Sequence, residues 1–265
     1  MIDVDNPGEG VLRLTLNRPD SLNAFTFDMV ETFIAALEKV RFDLSVRVVI
    51  ITGAGQRFCA GLDTRASGSP DWVDESAGKA QRIRAVMAKL GSIPLLMRKL
   101  PQPVIVAVNG ATAGLGYSIA LAGDLCIAAR SAKFVNAFHN MGTGHELGFS
   151  YMLPRLIGYQ RAAEIILTGK QIMAEEAAAM GMILRAVPDD LLQSEVLQLA
   201  DQIMLNCPIG IEITKQSMWH NADVSSLDAA IELENRGIFM SQSTEDAAEK
   251  RRSMVEKRSP TFRQQ

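Results

Sequence analysis

Two glycine-interrupted segments have the composition of a ligand-binding backbone. Residues 57–63 (Arg57, Phe58, Cys59, Ala60, Gly61, Leu62, Asp63) follow a continuous apolar run at 47–52, and residues 109–116, with glycines at 110, 114 and 116, follow another at 104–108. Glycine lets a backbone approach a ligand closely. The second segment also opens a helix at 117–122, so its N–H groups and the helix dipole can face an anion. Taken singly, each segment reads more readily as a tight turn than as a ligand site. The glycines at 110, 114 and 116 do not form the GxGxxG pattern of a dinucleotide site, which argues against a Rossmann cofactor. The three cysteines, at 59, 126 and 207, form neither a CxxC pair nor a metal spacing with His139, His145 and His220. Cys59 and Cys126 lie in apolar runs with no adjacent base, so packing is expected of them rather than nucleophilic chemistry. His139 and His145 have two readings, titration near neutrality or a hydrogen-bonding role.

Alternation of period two over residues 12–16, followed by Asn17, Arg18, Pro19 and Asp20, predicts a half-buried strand that opens the fold. Val30, Phe33, Ile34, Leu37 and Val40 then fall on one face of a helix over 27–41, with Thr26 as N-cap. The run at 47–52 predicts a strand buried on both faces, and runs at 104–108, 125–129 and 184–187 predict further short strands separated by helical or glycine-rich stretches, which is α/β alternation. Residues 64–78 are polar and contain glycine and proline, as a surface loop would, and helical spacing returns over 81–100. After Pro188 helices dominate, most clearly over 225–240 and 244–257.

The chain has 265 residues, of which 48% are hydrophobic and 22% charged, enough to bury one large core or a domain with a smaller appendage. Lys and Arg total 27 against 30 Asp and Glu, and a net charge of −3 gives no pull towards nucleic acid or anionic membranes. Residues 1–9 carry three acids and no base, unlike a signal or transit peptide, and the sparse cysteine suits a reducing cytoplasm. The uncharged stretch 101–123 has nearly the length of a membrane span. Pro103, Asn109, Gly110, Gly114 and Gly116 break it into pieces that suit a buried soluble core.

The order of these features resembles the crotonase (enoyl-CoA hydratase/isomerase) family over nearly the whole chain. The resemblance rests on Asn17, Arg18 and Pro19 with Leu22, Asn23 and Ala24, on Phe58 to Asp63, and on the loop at 109–116 leading to Asp124. Leu167, Thr168 and Gly169, and the segment from Glu256 to Phe262, continue it. It implies an α/β fold, a crotonase-like spiral of repeated β-β-α units over 1–188 with a helical C-terminal trimerisation region over 189–265, assembled as a homotrimer or homohexamer. It implies an acyl-CoA thioester substrate and no cofactor beyond the coenzyme A of that substrate. The thioester oxygen would sit between the backbone N–H groups of Leu62 and Leu115, donors that stabilise an enolate or tetrahedral oxyanion. Leu115 replaces the glycine usual at its position. Leu22, Ala24, Ala60, Gly61 and Asp63 belong to the part that holds the adenine end, and Gly114, Tyr117 and Ser118 would border the acyl group. Lys257 would meet a CoA phosphate or lie on a solvated helix face.

The carboxylates depart from the family pattern. A typical hydratase holds one water between two glutamates, one as base and one as acid. Ser118 stands at the position of the first and Phe138 at that of the second. Glu146, eight residues after Phe138, matches the position where dienoyl-CoA isomerases and 4-chlorobenzoyl-CoA dehalogenases carry an aspartate. The segment 134–155 resembles the dehalogenase type, with Phe138 available to stack on a planar acyl group. A proton shift along the acyl chain by Glu146 as the single acid/base fits these residues best. Hydration through Glu146 alone, hydrolysis or dehalogenation with Glu146 as nucleophile, and acyl-CoA binding without chemistry are the alternatives. Glu146 also has a structural reading as a charge near a helix N-terminus.

Overall fold

The computed structural model describes residues 1–63, 65, 69–138 and 142–264. His139 and part of the 64–78 loop lie outside the described residues. Among the described residues ten strands form two sheets. β1 (Ile2–Gly8), β2 (Val11–Leu16), β3 (Val48–Gly53), β5 (Val104–Val108), β7 (Leu125–Ala129) and β10 (Arg185–Val187) make the larger sheet in that spatial order. β2 to β10 run parallel and β1 pairs antiparallel to β2. β4 (Arg57–Cys59), β6 (Ala111–Ala113), β8 (Lys133–Val135) and β9 (Ile172–Met173) make the smaller sheet. Each turn of the chain lays one strand in the large sheet and, after a short connection, one in the small sheet. A helix then follows: α2 (Lys79–Lys99) after β4, α3 (Leu115–Ala122) after β6, and α4 (Phe149–Ile157) with α5 (Tyr159–Thr168) after β8. This is the spiral of β-β-α units.

The apolar runs at 47–52 and 104–108 form buried strands, with every residue of β5 and Val48 to Thr52 of β3 buried, whereas β10, at the edge of the sheet, buries only Val187. α1 (Phe27–Val40) starts where predicted, Thr26 accepting a hydrogen bond from the Met29 N–H, and buries Val30, Phe33, Ile34, Leu37 and Val40. Two features correct the sequence reading. The fold opens with β1 rather than with the strand at 11–16; β1 is a mostly exposed edge whose Asp3 and Asp5 hide its alternation. The small sheet is built from strands of two or three residues, too short for any periodicity to register.

After β10 the described chain is helical. α6 (Ala174–Ala179) precedes it, and α7 (Leu192–Met204), α8 (Pro208–Asn221), α9 (Leu227–Gln242) and α10 (Glu245–Glu256) follow. α7 lies across β3, β5 and β7, and α8 packs against α9 and α2. A buried ion pair fastens α8: Lys215 Nζ is 2.7 Å from Asp124 Oδ2 and also donates to the carbonyls of Met97 and Gln102. Asp124 accepts in addition from Trp219 Nε1 and from the Val104 N–H, so both charges are fully partnered. No helix among the described residues is long and apolar enough to cross a membrane.

Candidate functional site

The connections at the C-terminal ends of β2, β3 and β5 meet. Residues 22–25 run beside 60–63 as a further parallel pair: the Ala60 N–H donates to the Leu22 carbonyl, Phe25 N–H to Gly61, and Asp63 N–H to Phe25. In that register Leu62 turns its own N–H away from residues 22–25. Gly61, at φ +97°, lies against the turn before α3, where a Cβ on it would stand 3.3 Å from the Ala113 carbonyl oxygen and 3.5 Å from the Leu115 nitrogen. Leu115 is the first residue of α3, whose initial N–H groups have no partner within the helix. Among the described residues neither the Leu62 nor the Leu115 N–H meets an acceptor. Two neighbouring free donors, one at a helix N-terminus, can receive an oxygen on which negative charge grows.

Several side chains stiffen this backbone. Asn23, fully buried at φ +55°, donates to the carbonyls of Ala54 and Arg57 and accepts from the Arg18 N–H. The Arg18 guanidinium reaches the Ala24 carbonyl at 2.6 Å and Asp63 Oδ2 at 3.3 Å. The Arg65 N–H, followed by the Arg65 and Arg18 side chains, holds the Asp63 carboxyl below its ordinary pKa. Gly116 admits α3: a Cβ there would lie 2.6 Å from Cys59 Cβ and 2.7 Å from the Cys59 carbonyl oxygen.

Glu146 arrives from a different element. It stands in an irregular stretch before α4, with its carbonyl accepting from the Phe149 N–H and the next carbonyl, of Leu147, accepting from Ser118 Oγ at 2.5 Å. Because Ser118 lies one turn beyond Leu115 on α3, this contact ties the carboxylate-bearing turn to the helix that supplies the second N–H. Half-buried Glu146 is flanked by His145, whose ring packs on Phe138 and Phe149 with centroids 5.0 and 5.1 Å away and whose Nε2 meets Asn136 Oδ1. Burial alone pushes the Glu146 carboxyl above its ordinary pKa, and among the described residues no cation pairs with it.

The structure thus brings together Leu22, Ala24, Ala60, Gly61, Leu62, Asp63, Gly114 and Leu115, and brings the Glu146 turn to α3. Three side chains differ from the sequence reading. Tyr117 is fully buried in the core, its ring edge-on to Phe149 at 4.7 Å and its hydroxyl donating to Met182 Sδ, rather than bordering an acyl group. Ser118 is likewise buried, with its hydroxyl committed to Leu147. Phe138 is 4% exposed and packs on Phe149 and His145 instead of presenting a free face. Lys257 is exposed at the C-cap of α10, as its solvated-face reading has it, and the tail after it is held to Leu44 and Arg47, before β3 and so at the end of the large sheet opposite the glycine loops. Glu146 itself precedes the first turn of α4, which begins at Phe149 after Gly148.

Burial pushes the Cys59 and Cys126 thiols up to about 12, in keeping with packing roles. Among the described residues no group of His, Cys, Asp and Glu could hold a metal. An apolar hollow of about 240 Å³, lined by Phe27, Pro70, Val73, Ile83, Val86 and Met87, opens between the loop before α2 and α2 itself. It adjoins the strand pair through Phe27, two residues beyond Phe25. A second hollow of about 200 Å³, around Arg47, Gln102 and Asp246, lies at the opposite end of the large sheet. The Arg18–Asp63 pair, the buried Asn23 bonds and the Ser118–Leu147 bond had no signal in local sequence.

Comparison with known proteins identifies the family. The model of a family described as enoyl-CoA hydratase/isomerase matches residues 6–265. A probable enoyl-CoA hydratase, echA12, of Mycobacterium bovis is 39% identical over 99% of this chain and 92% of its own. The 1,2-epoxyphenylacetyl-CoA isomerase of Escherichia coli is 38% identical over 96% of this chain and 95% of its own. The crystal structure of a probable enoyl-CoA hydratase/isomerase from Mycobacterium abscessus superposes with a TM-score of 0.92 at 36% identity, covering 100% of this chain and 99% of that one. Spiral fold, ordered loops and sequence likeness together establish that the chain is an enzyme of the enoyl-CoA hydratase/isomerase family, built on the crotonase fold.

Proposed function

We propose that the protein moves a proton along the acyl chain of an unsaturated acyl-CoA thioester, with Leu62 and Leu115 N–H as the oxyanion donors and Glu146 as the acid/base. The Glu146 carboxylate takes a proton from one carbon, and the electron pair of that C–H bond passes into the conjugated system and onto the thioester oxygen. The two N–H groups stabilise this charge without reorganising, a donor of this kind being worth about 3 kcal/mol. Protonated Glu146 then returns the proton to a different carbon, and the carbonyl re-forms. The observation that carries this reading is that two acceptor-free N–H groups meet at the head of α3 and that the turn bearing half-buried Glu146 is tied to the same helix through the Ser118–Leu147 bond, with burial raising the pKa of its carboxyl. A pKa raised towards neutrality suits a group that must both accept and give a proton.

The name of the E. coli relative, a 1,2-epoxyphenylacetyl-CoA isomerase, supports isomerisation of an acyl-CoA thioester; that of the M. bovis relative, a probable hydratase, favours water addition through Glu146 alone as the second reading. We place the acyl chain in the hollow beside Phe27, the CoA adenine end along residues 22–24 and 60–63, and Gly114 against the thioester. In the same reading residues 1–188 are the catalytic spiral and 189–265 the region through which copies associate as trimers or hexamers. Leu227, Phe239, Met254 and Val255, exposed on α9 and α10, support that association.

The test is the absorbance change of a panel of conjugated and unconjugated enoyl-CoA esters with the wild type and Glu146→Gln. Migration of a double bond by the wild type and its loss in the variant is the expected result, whereas net addition of water selects the second reading. Turnover unaffected by Glu146→Gln would overturn the role of this carboxylate. A covalent acyl adduct on Glu146, sought by mass spectrometry, would replace proton transfer by nucleophilic catalysis. Tight ester binding with no turnover by either protein would leave a binding protein.

A further inference from the structure

Ser118 occupies the position at which related hydratases carry a catalytic glutamate, yet its short side chain is fully buried and its hydroxyl reaches backbone. The acceptor, the Leu147 carbonyl, belongs to a turn in an unusual conformation. Leu147 lies at φ +57° and Gly148 at φ +77°, two successive left-handed residues of which the first is not glycine. Such a backbone persists only where its surroundings over-determine it. Here the turn is closed on one side by the Phe149 N–H to the Glu146 carbonyl and on the other by Ser118 Oγ to the Leu147 carbonyl. Glu146 is the first residue of that turn. Leu115 and Ser118 are three residues apart on α3 and share a face, so one rigid helical turn fixes the separation between an oxyanion donor and the segment bearing the carboxylate.

We propose that Ser118 is a positioning residue for proton transfer: through the Leu147 carbonyl it sets where the Glu146 carboxylate stands relative to the Leu62 and Leu115 donors. The proposal rests on the reading of Glu146 as the acid/base. Loss of the hydroxyl leaves a buried carbonyl unpaired and lets the left-handed turn relax. A shift of about 1 Å in a reacting group is enough to cost 10²-fold in rate. The relaxed turn also brings Glu146 closer to water, which lowers the pKa that burial had raised.

The experiment measures kcat, KM and the pH–rate profile of Ser118→Ala, Ser118→Cys, Glu146→Gln and the Ser118→Ala/Glu146→Gln double variant on the same enoyl-CoA ester. Ser118→Ala is expected to lose roughly 10- to 100-fold in kcat with KM little changed, and to move the acid limb of the profile to lower pH. Ser118→Cys, nearly equal in volume and a weaker donor, should fall between Ala and the wild type, and it carries the test if the alanine variant does not fold. In the double variant the Ser118 substitution should cost nothing beyond Glu146→Gln, because the two act as a unit. Wild-type kcat and an unmoved limb in both Ser118 variants, or a loss confined to KM, would overturn the proposal, as would losses that multiply in the double variant. Full activity of Glu146→Gln would instead sink the acid/base reading itself, whatever the Ser118 variants do.

Discussion

Around Leu62 and Leu115 the backbone is fixed from three sides, by the strand pairing of 22–25 with 60–63, by the small sheet, and by Asn23 and Arg18, whose polar groups are spent on carbonyls and on Asp63. The stretch from Asn136 to Gly148 that bears Glu146 has neither helix nor strand among its described residues. Among the described residues it is held by scattered ties rather than by a ladder, including Asn136 to the Ile165 carbonyl, His145 to Asn136, Thr143 to Phe138, the Phe149 N–H to the Glu146 carbonyl, and Ser118 to Leu147. The first region offers main-chain N–H groups, which survive any substitution that spares the fold. The second offers a side chain, so its chemistry changes with one residue. One electrostatic site can therefore serve different proton transfers when the loop opposite it changes.

The widest separation of the two regions is expected from Glu146→Gln, which keeps volume and fold but removes the base; kcat should fall by about 10²–10⁴-fold with ester affinity retained, as steady-state kinetics and calorimetry would read. Gly116→Ala attacks the other region. Its Cβ, 2.6 Å from Cys59 Cβ and 2.7 Å from the Cys59 carbonyl oxygen, must push α3 away from β4. A displacement near 1 Å should cost about 10²-fold in kcat, and over-packing about 1–3 kcal/mol in denaturant unfolding. Equal melting temperatures and equal kcat for Gly116→Ala and the wild type would break the claim that backbone contact sets this site.

Smaller effects sharpen the contrast. The base must be ionised to take a proton, and burial raises the Glu146 pKa, so the acid limb of kcat/KM should lie above the ordinary glutamate value of about 4.3 and vanish in Glu146→Gln. A limb at or below that value would show a solvated carboxylate. Leu62→Ala should matter least. It keeps the N–H and trims a partly exposed side chain, so stability and kcat should stay within about twofold, measured by melting and by steady-state kinetics.

Much of this was legible in residue order. The apolar runs at 47–52 and 104–108 announce strands buried on both faces, Thr26 announces the start of α1, and the glycines at 61, 114 and 116 mark where backbone must pass close to backbone. β1 was missed because an acidic edge strand buries little, and the small sheet because two or three residues cannot display a period. Nothing in the residues around Lys215 marks it, and only the fold shows its ammonium buried against Asp124.

Sequence alone was sufficient for the family and the spiral, because the apolar runs and glycine-marked turns that define them are local in the chain. Tertiary structure decided which side chains remain free. Tyr117, Ser118 and Phe138 look like wall residues in a linear reading, but their fate depends on Phe149, Leu147 and Met182, which stand 11 to 65 positions away and reach them only through packing. A hydroxyl buried beside an unpaired carbonyl will bond to it, and an aromatic ring near others will pack on them, wherever the chain happens to bring them together.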